Sequence, residues 1–170
     1  MQNIELKAQY RDLEKARRIA MSLGARLLWK DHQEDTYFVT QQGKLKLRES
    51  GLNGSELLPY IKADQSGTKR SDYAKIPVAD AALVKSLLTE LLGKKLSVKK
   101  TREVFLIENV RVHLDEVVGL GNFLEFEAVY EDDTPEAAQR EIGKLQELKK
   151  TFEISEADLL DGSYPDLLSQ

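Results

Sequence analysis

The polar and apolar positions alternate from the start of the chain. Over residues 2–9, Ile4, Leu6 and Ala8 interleave with Asn3, Glu5 and Lys7, so an extended backbone here has one apolar and one polar face. The period then lengthens. Leu13, Ala16, Ile19, Ala20 and Leu23 fall at helical spacing over residues 11–23, and Gly24 stands where a C-cap belongs. Residues 27–40 favour extended structure, 41–43 form a turn, and 44–49 alternate cleanly. A Gly/Asn/Ser loop at 51–55 leads to an extended run at 56–64, a polar loop at 65–69 and one continuous strand at 71–78.

The second half repeats the order of the first. Leu83, Leu87, Leu88, Leu91 and Leu92 make a helical stripe over 79–92 that ends at Gly93, and it is expected to pack on the outer wall of a sheet. Three strands follow, at 96–107, 109–117 and 123–131, joined by a tight turn at Glu108-Asn109 and by Gly119 to Gly121. Thr134-Pro135-Glu136 has the form of a helix start, and that helix runs to about Lys150. A short acidic helix begins after Ile154, and the terminal SYPDLL run is placed to fold over one end of the strands, with Tyr164 as a candidate contact. Many antiparallel strands with a few helices indicate an α+β protein, and no linker divides the 170 residues into separate domains.

The charges decide more than the totals do. A hydrophobic fraction of 41% and a mean hydropathy of -0.44 suit a soluble globular chain. A net charge of -4 argues against nucleic acid as a partner. No run approaches the ~20 apolar residues of a membrane span, and no leader pattern is seen, so a cytoplasmic protein with no membrane partner is expected. With no cysteine, thiolate metal sites are excluded; His32 and His113 read as hydrogen-bonding neighbours and not as ligands. Tyr37 and Phe38 read as core, and Trp29 as buried or partly exposed near the start of a strand. The Leu-rich helices leave room for a homodimer.

Several strands gather charges on one face. Glu5 and Lys7 share a face, as do Lys44, Lys46 and Arg48, then Lys100 and Arg102, then Arg111, His113 and Asp115, then Glu125 and Glu127; Lys62 adds a cation at 56–64. The plain explanation is a solvated face of an antiparallel sheet. The other is a sheet curled into a tunnel with its polar face inside. That many buried cations require a polyanion, and the carboxylates among them require a hard divalent cation such as Mg²⁺ or Mn²⁺. A nucleoside or inorganic triphosphate with a metal ion satisfies both. On this view the cations repel one another in the empty protein, and removing Arg48 or Arg102 is expected to stabilise it.

Six segments carry a family resemblance: NIELKA, HQEDTYF, GKLKLRE, YIKADQSGTKRSDY, VKKTREVFLIENVRVHLDEVVGLGNFLEFEAV and SYPDLL. In this order the chain resembles the CYTH superfamily, the triphosphate tunnel metalloenzymes, and within it the class IV adenylyl cyclases. The resemblance implies an eight-stranded antiparallel β-barrel or tunnel with helices outside. It implies that Lys7, Lys46, Arg48, Lys62, Lys100, Arg102 and Arg111, with Lys69 or Arg70, grip the triphosphate, and that Glu5, Asp115, Glu125 and Glu127 hold the metal. Glu5, Lys7 and Asp115 would then carry the chemistry. Family cyclases make cyclic AMP and pyrophosphate from ATP, and other members hydrolyse thiamine triphosphate or inorganic triphosphate. A non-catalytic polyphosphate-binding module is the third alternative. One departure stands out. The family signature Glu-x-Glu-x-Lys reads Asn3-Ile4-Glu5-Leu6-Lys7 here, so an amide replaces its first carboxylate.

Overall fold

The computed structural model describes residues 2–62, 71–132, 134–161 and 164–168. The elements run β1 (Gln2–Gln9), α1 (Leu13–Ser22), β2 (Arg26–Phe38), β3 (Lys44–Ser50), β4 (Gly54–Lys62), β5 (Ser71–Tyr73), β6 (Ile76–Val78), α2 (Ala81–Leu92), β7 (Lys94–Ile107), β8 (Val110–Val117), β9 (Gly121–Tyr130), α3 (Pro135–Thr151), a 3-10 turn (Glu156–Asp158) and α4 (Tyr164–Leu168). The strands form one antiparallel sheet in the order β1-β9-β8-β7-β2-β3-β4-β5, with β6 also paired to β4. The edge strands β1 and β5 approach within 8 Å between Cα atoms without pairing. The sheet is therefore a strongly curled tunnel that hydrogen bonds among the described residues do not close.

Strand 71–78 is not continuous. It divides into β5, paired with Tyr60 to Lys62, and β6, paired with Ser55 to Leu57. Pro77 has no N–H to donate, which confines β6 to an edge.

The apolar faces of β1 and β7–β9 pack under α1 and α3. Ile4, Ala8, Val112, Leu114, Leu124, Phe126 and Ala128 are buried with Ala16 and Ala20 of α1 and Leu145 of α3. Phe126 meets Phe152 edge-on at 5.1 Å between ring centroids. α3 starts as its sequence dictates: Thr134 caps it through the Ala137 N–H, 3.2 Å away, and Pro135 sits at its first position. After α3 the chain returns to β1, where Leu160 N–H donates to the Lys7 carbonyl at 2.9 Å.

α2 does not fulfil the expected outer-wall role for its whole stripe. Val84 and Leu88 are partly covered and Lys85 anchors the helix to Glu34 and Glu49, but none of its residues is buried. Leu83, Leu87 and Leu91 lie on the opposite side, 55%, 48% and 76% exposed. The reason is the narrow bed: among the described residues the main contacts of α2 are with β2, β3 and β7, so one helical face is supported and the other is not.

Candidate active site

Period-two alternation turns one charged face of β1, β2, β3, β7, β8 and β9 inward, and register then decides who meets whom. Across β7, β8, β9 and β1, Arg102 lies opposite Asp115; one step along, His113 is opposite Glu125 and Glu125 opposite Lys7; one step further, Arg111 is opposite Glu127 and Glu127 opposite Glu5. On the other wall Asp35 of β2 is opposite Arg48 of β3. The buried charges fall into three groups.

The first centres on Asp35, which is fully buried. Its carboxylate accepts from Arg48 Nε at 2.7 Å and from a terminal nitrogen of Arg48 at 2.8 Å, from Lys100 Nζ at 2.9 Å and from Lys46 Nζ at 3.2 Å. Burial alone would raise the Asp35 pKa, but Lys100, Lys46 and Arg48 outweigh it and hold the carboxyl well below its usual range. Burial has the opposite consequence for Lys100, whose pKa falls to about 7: Asp35 offsets the desolvation only in part, and Arg48, Arg102 and Lys46 repel its charge. Lys46 also faces the rings of Tyr37 and Tyr60, at 5.6 and 5.2 Å.

The second group is Asp115 with Arg102. The guanidinium donates to both carboxylate oxygens at 2.6 Å, and the Tyr164 hydroxyl donates to one of them. Burial would raise the Asp115 pKa; Arg102 reverses this and brings it to about 2. Tyr164 is thus a site residue. Its ring lies 4.3 Å from the Lys7 ammonium and 5.7 Å from that of Lys100, and it stacks at a tilt on Phe123, 5.0 Å away. Phe123, Tyr37, Val98, Val117 and Tyr164 form a small apolar cluster at this end of the tunnel.

The third group holds the glutamates. Lys7 Nζ is 3.0 Å from Glu125, while Arg111 and His113 are 3.6 and 3.5 Å from Glu127. His113 is pushed down in pKa by burial and then by Arg102, so it is neutral at pH 7. The Asn3 amide donates to Glu5 at 2.9 Å and to Glu127 at 3.1 Å, which leaves its own Oδ1 buried with no partner. Glu5 is raised to about 7 by burial, then by the charges of Glu125 and Glu127. Among the described residues no three His, Cys, Asp or Glu side chains already surround one point as metal ligands. The chemistry nonetheless fits a hard cation: Glu5 is starved of positive charge, and the Asn3 carbonyl oxygen is an unused hard donor beside it. Asp115 is directed to Arg102 and Tyr164.

Glu5, Lys7, Lys46, Arg48, Lys100, Arg102, Arg111, Asp115, Glu125 and Glu127 therefore face one interior. Lys62 is placed on β4 opposite Ser71. Lys69 and Arg70 lie outside the described residues. His32 is exposed and bonds Thr101 at 2.9 Å, outside the site. Sequence reasoning missed Asp35. Its signal was the alternation Asp31, Gln33, Asp35, Tyr37, which puts Asp35 on the same face of β2 as the polar residues that oppose the cations of β3.

A curled sheet holding cations and carboxylates in its interior defines an anion-binding tunnel protein. The model of the CYTH domain family matches residues 1–164, and the chain belongs to that family. CYTH proteins are triphosphate tunnel metalloenzymes, which bind triphosphate substrates and depend on a divalent metal. The chain is 25% identical, over 98% of both sequences, to a protein of Methanocaldococcus jannaschii that carries the provisional name adenylate cyclase. A solved structure from Pyrococcus horikoshii OT3 superposes with a TM-score of 0.82 at 24% identity, covering 97% of this chain and 98% of that one. A Hippeastrum protein described as an adenylyl cyclase candidate with a dominant triphosphatase activity shares the fold, with a TM-score of 0.64 at 17% identity over 98% of this chain and 95% of its own. No helix among the described residues is long and apolar enough to cross a membrane.

The pairing reverses one expectation from the charge pattern. Arg48 and Arg102 do not merely repel other cations; each neutralises a buried carboxylate. Arg48→Ala and Arg102→Ala will therefore destabilise the empty protein, by about 3–5 kcal/mol where the carboxylate is left alone, as for Asp115. Urea titration of both variants measures this. Glu5 gives a pH signature. Because its folded pKa is raised from 4.5 to about 7, stability is complete below the lower value and declines as pH rises through the higher one. Glu5→Gln removes the decline: the variant melts with the wild type at pH 4.5 and several degrees above it at pH 8, both free of metal.

Proposed function

We propose that the protein is a metal-dependent adenylyl cyclase that converts ATP to 3′,5′-cyclic AMP and pyrophosphate. The observation that supports this best is the separation of charge along the tunnel: Lys46, Arg48 and Lys100 gather at Asp35, while Glu5, Glu125 and Glu127 gather on β1 and β9. A triphosphate would lie with its β- and γ-phosphates among the cations and its α-phosphate toward the carboxylates. That orientation suits cyclisation, in which pyrophosphate leaves and its growing charge needs fixed donors.

Arg102 and Lys7 orient the α-phosphate, and Arg48, Lys46 and Lys100 hold the departing pyrophosphate. The raised pKa of Glu5 in the metal-free protein marks a carboxylate that a cation beside it would return to its ionised form. Glu5, Glu125 and Glu127 would hold Mg²⁺ or Mn²⁺, which would supply Lewis acidity to lower the pKa of the ribose 3′-OH and offset charge on the α-phosphoryl oxygens. Asp115 fixes the guanidinium plane of Arg102 through its two short bonds. The same groups, with a water in place of the 3′-OH, would make a triphosphatase, and the Hippeastrum neighbour supports that second reading.

Incubation with ATP, inorganic triphosphate and thiamine triphosphate, each with Mg²⁺ and with Mn²⁺, distinguishes these readings by product. Cyclic AMP and pyrophosphate in equal amounts are expected from ATP. Orthophosphate without cyclic AMP would replace the cyclase by a hydrolase, and binding without any product would leave a polyphosphate-binding module.

A further inference from the structure

Asp35 is a site residue that neither the triphosphate grip nor the carboxylate set explains. Elsewhere in the interior each cation has a carboxylate, Arg102 with Asp115, Lys7 with Glu125 and Arg111 with Glu127, and the excess there is negative, at Glu5. At Asp35 one carboxylate faces three cations, Lys46, Arg48 and Lys100. All four side chains are buried or nearly so, at 1% exposure for Asp35, 10% for Lys46, 16% for Arg48 and 2% for Lys100. A buried cluster with two uncompensated positive charges is unfavourable by itself, since desolvation weakens the hydration that would otherwise sustain it. The lowered pKa of Lys100 shows the same excess from another side.

We propose that Asp35 is a resident counter-anion that keeps these three cations converged in the empty tunnel and sets their excess charge to match a terminal phosphoryl dianion. This rests on the triphosphate reading and deepens it, because it assigns a polarity to the ligand. A terminal phosphoryl group carries nearly two negative charges at neutral pH, whereas an internal one carries a single charge. The cluster selects the chain end of a linear polyphosphate. Asp35 has two opposed effects on that ligand. It aligns Arg48 through a bidentate contact, and it repels the incoming phosphate. Without it, the cations spread apart until a ligand gathers them again, so the ligand takes over the work of the carboxylate.

Asp35→Asn tests this with inorganic triphosphate and cyclic trimetaphosphate, which has no terminal phosphoryl group, as probes of melting temperature and affinity without metal. The wild type should be stabilised by the linear compound and at least tenfold less responsive to the cyclic one. The variant should melt lower when empty, bind linear triphosphate about tenfold more tightly, and recover most of its lost melting temperature at saturation. A deficit that persists at saturation, or weaker binding, would overturn the proposal and leave Asp35 a purely structural ion pair. Equal response of the wild type to linear and cyclic triphosphate would overturn the terminal-phosphate assignment alone. No response of the wild type to either would refute the triphosphate reading itself. If the variant is recovered unfolded, refolding with and without linear triphosphate decides: folding only in its presence supports the counter-anion role, and failure in both removes it.

Discussion

Desolvation of charge is the constraint on which the tunnel depends. Ten or more ionisable side chains point into an interior that water reaches poorly, and each must find an opposite charge there or change its protonation state. Asp35 and Asp115 answer most of that demand. Each occupies a register position from which it accepts two bonds from one arginine, so the two arginines are held as planar forks instead of flexible stems. Where the opposite charge is too little to offset burial the protonation state yields, as it does for Glu5 and Lys100, both brought to about 7. The same deficit that shifts these two groups makes them responsive to a metal ion and to a phosphate.

Asn3 fits this account. A carboxylate at position 3 would add a fourth negative charge beside Glu5, Glu125 and Glu127. The amide instead donates to two of them, lowering the repulsion without carrying charge. Its orphaned carbonyl oxygen is then directed to where a hard cation would be welcome. The departure from the family signature exchanges one ligand charge for a neutral clamp across β1 and β9.

The exterior divides its labour unevenly. α1 and α3 seal the apolar face of β1 and β7–β9 with Phe126, Phe152 and Leu145, and this packing carries the hydrophobic contribution to stability. α2 lies over β2, β3 and β7 and contributes little burial. The chain end is the link between outside and inside. α4 brings Tyr164 to Asp115, Lys7 and Lys100, and Asp166 to Lys44 at 3.0 Å, so this helix is held in part by charges that form the site.

Local periodicity made much of this legible in the sequence. Alternation at Glu5 and Lys7, at Lys46 and Arg48, and at Glu125 and Glu127 determined which side chains share a face, because strand geometry leaves no other choice. Thr134-Pro135 determined where α3 begins, since capping is a contact between near neighbours. Tertiary structure alone decided the partners. Asp35 reaches Lys100 across 65 positions of sequence and Asn3 reaches Glu127 across 124. Such pairs are set by strand order and register, which no window of sequence contains. The same holds for α2, whose leucine stripe reads like a buried face. Only the width of sheet beneath it determines that Leu83, Leu87, Leu91 and Leu92 meet water while Leu88 is partly covered.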